Sequence, residues 1–227
     1  MHILVFGDIH MACRRAEEIP AVKEADLIVL NGDITNYGGI EDARGILAGL
    51  LRINPNILAQ FGNLDLGEVN DYFEDLGLNL HGRAHLINGE VCLVGVGGSN
   101  PTPFATPSEF PEKDLARLAR RAFQQADERI KQAGKSHGPK IPVIFISHSP
   151  PFNTQLDRLH SGKHVGSTAI RTAIEKYQPD LCITGHIHEA KGQDKIGNTP
   201  ILNPGTLQHG GWVSIRLHKS QLEATIQ

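Results

Sequence analysis

Five short polar clusters each close a β-like apolar run, and that pairing restricts the chain more than any other feature. Asp8 and His10 follow the run from His2 to Phe6, Asp33 follows Ala25 to Leu30, and Asn63 follows Asn56 to Phe61. His148 follows Pro142 to Ile146, and His186 with His188 follow Asp180 to Thr184. The runs are short and rich in β-branched residues, as strands buried on both faces are. In an open α/β sheet the loops beyond the carboxyl ends of neighbouring strands converge, so polar side chains placed there meet. The pattern predicts an α/β fold with its chemistry at one end of the strands.

Between these runs the apolar period changes to that of helices. Helices are predicted over residues 11–24, over 39–52 with Ile40, Ala43, Ile46, Leu47, Leu50 and Leu51 on one face, and over about 67–76. A strand pattern returns at 90–96, so the first half reads as one parallel sheet with crossover helices. Residues 95–111 carry too much proline and glycine for regular structure and are a candidate active-site lid. A long amphipathic helix is expected over 112–133, with Leu115, Leu118, Ala119, Ala122, Ala126 and Ile130 aligned, and then a connector over 135–140. The second half predicts a strand ending at His148, an irregular loop to about 166, a helix over 167–177 and a strand ending at Gly185. Runs at 199–202, 211–217 and 221–226, broken at Asn203 to Gly205 and at His218 to Ser220, suggest an antiparallel closing ribbon. Two sheets stacked face to face with helices outside accommodate all of this.

The 227 residues, 40% of them hydrophobic, suffice for one substantial core, and no linker-like stretch divides them. A single domain spanning 1–227 is expected. The formal net charge of −3 leaves no electrostatic footprint for nucleic acid. Arg117, Arg120, Arg121, Arg129 and Lys131 concentrate base on one helical segment, read as a solvated face. No run approaches the roughly 18–20 apolar residues of a membrane span, and the start lacks the basic region of a secretory signal, so a soluble cytoplasmic protein without membrane association is expected. Cys13, Cys92 and Cys182 are far apart and without metal-site spacing, which favours buried reduced thiols.

The clusters fit the needs of a two-metal hydrolytic site: oxygen and imidazole ligands for both ions, one carboxylate able to bridge them, and open positions for water and substrate. Asp8 and His10 alternate along one extended segment, so a turn just after the strand is needed to aim both at one ion, and the alternating His186 and His188 call for a turn of the same kind. Seven side chains with only two carboxylates leave two divalent ions with about two positive charges, an attraction for an anionic phosphate ester. Without a thiolate the ligand chemistry allows manganese, iron or zinc, ranked here with manganese first. Singly, an aspartate after a strand is more often a turn or helix cap and a histidine more often a satisfied surface or core residue. Five clusters in a fixed order, each behind its own strand, make a site far more probable than coincidence. Ser147 to Ser149 lacks the elbow of a serine hydrolase, and Gly95 to Gly98 lacks the spacing and following helix of a dinucleotide fingerprint.

The order Asp8-x-His10, Gly32-Asp33, Gly62-Asn63, His148, Gly185-His186-x-His188 resembles the calcineurin-like metallophosphoesterase superfamily over nearly the whole chain. The resemblance implies a four-layer αββα sandwich of two mixed sheets with a dinuclear centre. It implies that Asp8, His10, Asp33 and His188 hold one ion, and Asp33, Asn63, His148 and His186 the other, with Asp33 bridging. It further implies in-line hydrolysis of a small-molecule phosphate ester by a metal-bridging hydroxide, with Asn63 contacting the phosphoryl oxygens. Asn100, on the proline-rich loop, is a second candidate substrate-binding residue.

One position departs from that pattern. Many members carry a histidine directly after the motif asparagine as general acid, whereas this chain has Leu64 and then Asp65. The Gly-Asn-x-Asp form is similar to compact bacterial and archaeal phosphodiesterases of the superfamily. Leucine cannot donate a proton, and such transfer usually contributes about 10²- to 10⁴-fold. His209 is the first candidate replacement, ahead of His160 and His164, while Asp65 reads as a cap for the following helix. Phosphodiester hydrolysis is therefore the leading expectation. The alternatives are a non-catalytic scaffold, as in the retromer subunit of similar fold, and a nuclease, which the mildly acidic chain disfavours. The sequence does not set the oligomeric state.

Overall fold

Two sheets share the strands, and each draws on both halves of the chain. The computed structural model describes residues 1–134, 140–219 and 221–227, so residues 135–139 of the expected connector and Ser220 of the expected turn lie outside the described residues. The elements run β1 (His2–Phe6), β2 (Leu27–Asn31), α1 (Ile40–Ile53), β3 (Ile57–Gln60), α2 (Glu68–Asp75), β4 (Ala84–Ile87), β5 (Val91–Val96), α3 (Glu112–Gln132) and β6 (Val143–Ser147). They continue with α4 (Thr168–Tyr177), β7 (Leu181–Ile183), β8 (Gly192–Ile196), β9 (Thr199–Asn203), β10 (Val213–His218) and β11 (Gln221–Ile226). One sheet has the order β11-β10-β1-β2-β3 and the other β4-β5-β6-β7-β9-β8. Both are mixed: β1, β2 and β3 are parallel, as are β5, β6, β7 and β9, while antiparallel strands close every edge but that of β3.

Alternation along each strand explains the layers. In β1, Ile3 and Val5 face the second sheet and pack with Val29, Leu93, Ile144, Ile146, Ile183 and Ile215. Leu4 and Phe6 point the other way, against Ala43, Ile46, Leu47 and Leu50 of α1. The second sheet repeats this, with Leu115, Ala119, Ala122, Phe123 and Ala126 of α3 and Ile170, Ala173 and Ile174 of α4 covering its outer face. The result is helix, sheet, sheet, helix, and it explains why the strands read as continuous apolar runs. Each fully buried large aliphatic side chain contributes about 1.5–3 kcal/mol.

Polar contacts cross the apolar seam near the strand ends. Gln60 Nε2 donates to Asn31 Oδ1 (2.8 Å) and to the carbonyls of Val96 (3.2 Å) and Ile146 (3.3 Å), and Asn31 Nδ2 donates to the Ser147 carbonyl (3.2 Å). These bonds fix the carboxyl end of β3 against β5 and β6, directly beneath the polar clusters.

Several boundaries differ from the sequence reading. Residues 11–24 do not form a long helix: a 3-10 segment, Cys13–Glu18, ends where Ile19 turns extended before Pro20, as the residue ahead of a proline must. Ala16, Ile19 and Val22 are buried at a spacing of three, a period easily mistaken for a helical face. β5 does not extend the first sheet but joins the second, because a buried strand's pattern does not say which sheet it enters. β8, Gly-Gln-Asp-Lys-Ile, is an edge strand too polar to be recognised. Cys92 and Cys182 are buried free thiols, whereas Cys13 is only half-buried. Among the described residues no helix is long and apolar enough to cross a membrane.

Candidate metal centre

The backbone turns sharply where the polar clusters begin. Asp8 (φ 47°), His10 (φ 47°), Asp33 (φ 47°) and His186 (φ 67°) all occupy the left-handed region that side chains other than glycine avoid. Such residues cost about 1–3 kcal/mol each and collect where geometry serves function. Here the turns answer the alternation problem, since they bring Asp8 and His10, and likewise His188, to one side. Glycines make the approach close. A Cβ on Gly32, itself at φ 83°, would lie 2.6 Å from His148 Nδ1, and one on Gly62 would collide with Asp33 Oδ1.

Two groups of side chains result, sharing Asp33. Asp8, His10, Asp33 and His188 offer ligand atoms all within 4.8 Å of one another, and Asp33, His148 and His186 do the same. Within the first group His10 Nε2 and His188 Nε2 stand 3.2 Å apart, and His188 Nε2 is 3.2 Å from Asp8 Oδ1. In the second, His148 Nε2 is 3.0 Å from Asn63 Oδ1 and 3.5 Å from Asp33 Oδ2, which places Asn63 with this group. Asp8, Asp33, Asn63 and His148 are buried.

The hydrogen bonds around these groups decide what they can hold. His148 Nδ1–H donates to the Asn31 carbonyl (2.8 Å), so its Nε2 is the ring nitrogen turned to Asn63 and Asp33, open to a proton or a metal ion. Asn63 Nδ2 donates to Thr106 Oγ1 (3.0 Å), so Oδ1 turns its own lone pairs to the same point. His10 Nδ1–H donates to Asn36 Oδ1 (2.8 Å), which leaves its Nε2 facing His188. Acceptors at such distances repel unless a positive centre sits between them. Burial disfavours a charged His148, yet the Asp33 carboxylate outweighs it and holds the ring's pKa up at about 9. Burial likewise opposes ionisation of Asp33, and the His148 charge overrides it, bringing the carboxyl down to about 2. Desolvation and that neighbouring charge push the half-buried His186 down to about 4. A divalent cation meets the same demand as the proton with more lone pairs satisfied, so the donor set fits two metal ions.

Asp65 does not cap α2. Its buried carboxylate instead accepts from Ile34 N (3.1 Å), Thr35 N (2.8 Å), Thr35 Oγ1 (2.7 Å) and Gly62 N (2.8 Å), clamping the loop that carries Asp33 to the loop that carries Asn63. Leu64 N–H donates to Asp33 Oδ1 (2.8 Å), so the residue after Asn63 serves the site through its backbone. The loop over 97–111 is irregular as expected but pinned: Ser108 N donates to the Asn63 carbonyl (3.0 Å), Ser108 Oγ to the Asp65 carbonyl (2.6 Å), and Glu109 gathers Thr102 and Thr106. It forms a fixed wall of the site. Asn100 spends its side chain tying that wall to the loop after β6, donating to the Val165 carbonyl (3.1 Å) and accepting from Ser149 Oγ (3.0 Å). His209 is exposed, with Nδ1 on the Thr206 hydroxyl (2.8 Å), and the His160 side chain is 85% exposed. His164 sits 2.8 Å from the buried carboxylate of Asp157. Asn36 and Thr106, which orient candidate ligand atoms, lacked any signal in the sequence beyond their nearness to the clusters.

Comparison with known proteins gives a consistent picture. Residues 1–190 match the family described as calcineurin-like phosphoesterase. The uncharacterized protein MJ1162 of Methanocaldococcus jannaschii is 36% identical over 196 residues, covering 82% of this chain and 81% of that one. Among solved structures, TT1561 of Thermus thermophilus superposes with a TM-score of 0.65 at 20% identity, covering 99% of this chain and 97% of that one. A dimetal phosphatase from Danio rerio does so with a TM-score of 0.66 at 10% identity, covering 100% and 95%. At these identities the two structures speak for the fold.

Proposed function

This chain belongs to the calcineurin-like phosphoesterase family, and we propose that it is a metal-dependent phosphodiesterase acting on small-molecule phosphate esters within one domain. The observation that carries this reading is the pair of ligand groups sharing one buried carboxylate, Asp33. Asp8, His10, Asp33 and His188 would hold one divalent ion and Asp33, Asn63, His148 and His186 the other, with manganese first and iron or zinc as alternatives. Bound there, the two ions supply an activated water as nucleophile and positive charge for the phosphoryl oxygens.

The chain's own residues do the rest. The Asn63 amide, fixed by Thr106, stands at the edge of the second group and orients the phosphoryl group. Asp65 and the Leu64 amide hold Asp33 and Asn63 at constant separation, so the charge that meets the substrate is preorganised. The wall over 97–111 and the loop after His148 limit water around the ester. The test is metal analysis of purified protein followed by assays on bis(4-nitrophenyl) phosphate and 4-nitrophenyl phosphate with manganese. Diester turnover well above monoester turnover is the expected result. Inertness towards both with both ions bound would overturn the reading, and a stoichiometric protein partner of that inert protein would favour a scaffold.

A further inference from the structure

A histidine and aspartate pair outside the ligand groups remains unused, on the loop that leaves the carboxyl end of β6. Asp157 is fully buried and accepts from Asn153 N (3.0 Å), Thr154 N (2.8 Å), Gly166 N (2.9 Å) and His164 Nδ1 (2.8 Å). Backbone donors on both sides hold this carboxylate still, and the packing is tight: a Cβ on Gly166 would lie 2.8 Å from Asp157 Cβ and 2.6 Å from the Pro150 carbonyl. The bond from Nδ1–H fixes the tautomer of His164. Its Nε2 has no hydrogen-bond partner among the described residues, and the side chain is 29% exposed.

The hairpin that carries this pair is tied to the candidate metal centre from two directions. Val165 accepts from Asn100, whose backbone N–H and Oδ1 both meet the hydroxyl of Ser149, the neighbour of His148. His160 N–H donates to the carboxylate of Glu189, the neighbour of His188. The pair is thus held among the loops at the carboxyl ends of β5, β6 and β7. His209 and His160 lack such support, since one rests on a rotatable hydroxyl and the other stands in solvent.

We propose that His164, oriented by Asp157, is the general acid that Leu64 fails to provide, an inference that rests on the phosphodiesterase reading. As the bond from the water oxygen to phosphorus forms and the bond from phosphorus to the leaving oxygen breaks, the proton on Nε2 of the cationic ring passes to that oxygen. The alcohol departs neutral and the ring is left neutral. The proton released by the attacking water goes to solvent, and solvent recharges His164 before the next turnover.

The experiment uses the manganese-loaded enzyme and a series of aryl phosphodiesters whose leaving phenols range from strongly to weakly acidic. For His164→Gln, and for His164→Asn as a second variant, kcat should fall about 10²-fold or more on the weakly acidic phenols. It should stay within a few-fold of the original enzyme on the most acidic one, with metal content and thermal unfolding unchanged. A loss equal across the series, no loss at all, or a selective loss in His209→Gln instead would overturn the assignment. Original enzyme inert towards every diester would fail the phosphodiesterase reading itself. An active enzyme with a uniform response fails the His164 assignment alone.

Discussion

Replacing Asp65 with asparagine tests whether the two ligand loops are held by a charge or merely by packing. The change conserves shape but turns one acceptor oxygen into a donor. If the amide nitrogen takes the place of Oδ2, the N–H groups of Ile34 and Gly62 lose their acceptor. If it takes the place of Oδ1, the Thr35 hydroxyl can rotate to accept, but Thr35 N–H is orphaned. Either arrangement leaves one or two buried donors unmet at about 1–3 kcal/mol each, so Asp65→Asn should lose about 2–4 kcal/mol of stability. Because those donors belong to the segments that aim Asp33 and Asn63, metal affinity should weaken about 10- to 100-fold. Urea unfolding reads the first quantity and manganese titration the second. Asp71→Asn, on the exposed face of α2, should stay within about 0.5 kcal/mol as a control. Asp65→Asn protein that unfolds at the original urea concentration with the original slope, and binds manganese as tightly, would refute the clamp.

Other perturbations separate the remaining ideas. Asp33→Asn should abolish metal-dependent turnover and reduce metal content from two ions per chain, since it touches both groups; elemental analysis beside the rate assay checks both. Removing bound metal with a chelator should lower Tm by about 10–20 °C relative to protein at a hundredfold excess over Kd, where each of the two ions contributes about 2.7 kcal/mol. Gly62→Ala should fold poorly or lose metal, because the new methyl group meets the Asp33 carboxylate, and calorimetry with metal analysis distinguishes the two. His81 accepts from Gly97 N–H through Nδ1 (3.0 Å), and burial, reinforced by the Arg121 charge, pushes its pKa from 6.5 down to about 4. Between those values the unfolded chain binds the extra proton, so stability is complete above about pH 6.5 and declines as pH falls towards 4, by up to about 3 kcal/mol. His81→Gln keeps an acceptor and cannot titrate, so chemical unfolding across that window should show a flatter profile; an unchanged slope would assign the dependence elsewhere.

The sheet strands that carry the site were legible because burial on both faces leaves an apolar run, and the residue that ends the run is where the chain turns into solvent. Helices α1 and α3 were legible from their period, and the helix expected over 167–177 is α4, which the structure shows capped by Ser167 accepting from Ile170 N–H. The placement of β5 was not, since Val91 to Val96 would suit a central strand of either sheet. Asp65 was misread for a different reason: an aspartate ahead of a helix looks like a cap, and only the fold brings Ile34 and Thr35 to it. The pair of Asp157 and His164 shows the same limit, because a carboxylate gathered by backbone donors has no pattern along the chain.

The two sheets contribute unequally to the candidate centre, with Asp8, His10, Asp33 and Asn63 following strands of one and His148, His186 and His188 following strands of the other. A cation gripped there acts as a rivet through the seam between them. Its binding energy is then part of the work of pulling the halves apart, and tighter metals should slow that separation in proportion to their affinity. An early folding species with only the first three strands in place can offer four of the seven candidate ligands but could not close around two ions. Metal capture would therefore report the final docking of the sheets, giving an inorganic signal for an event that otherwise buries mostly hydrocarbon.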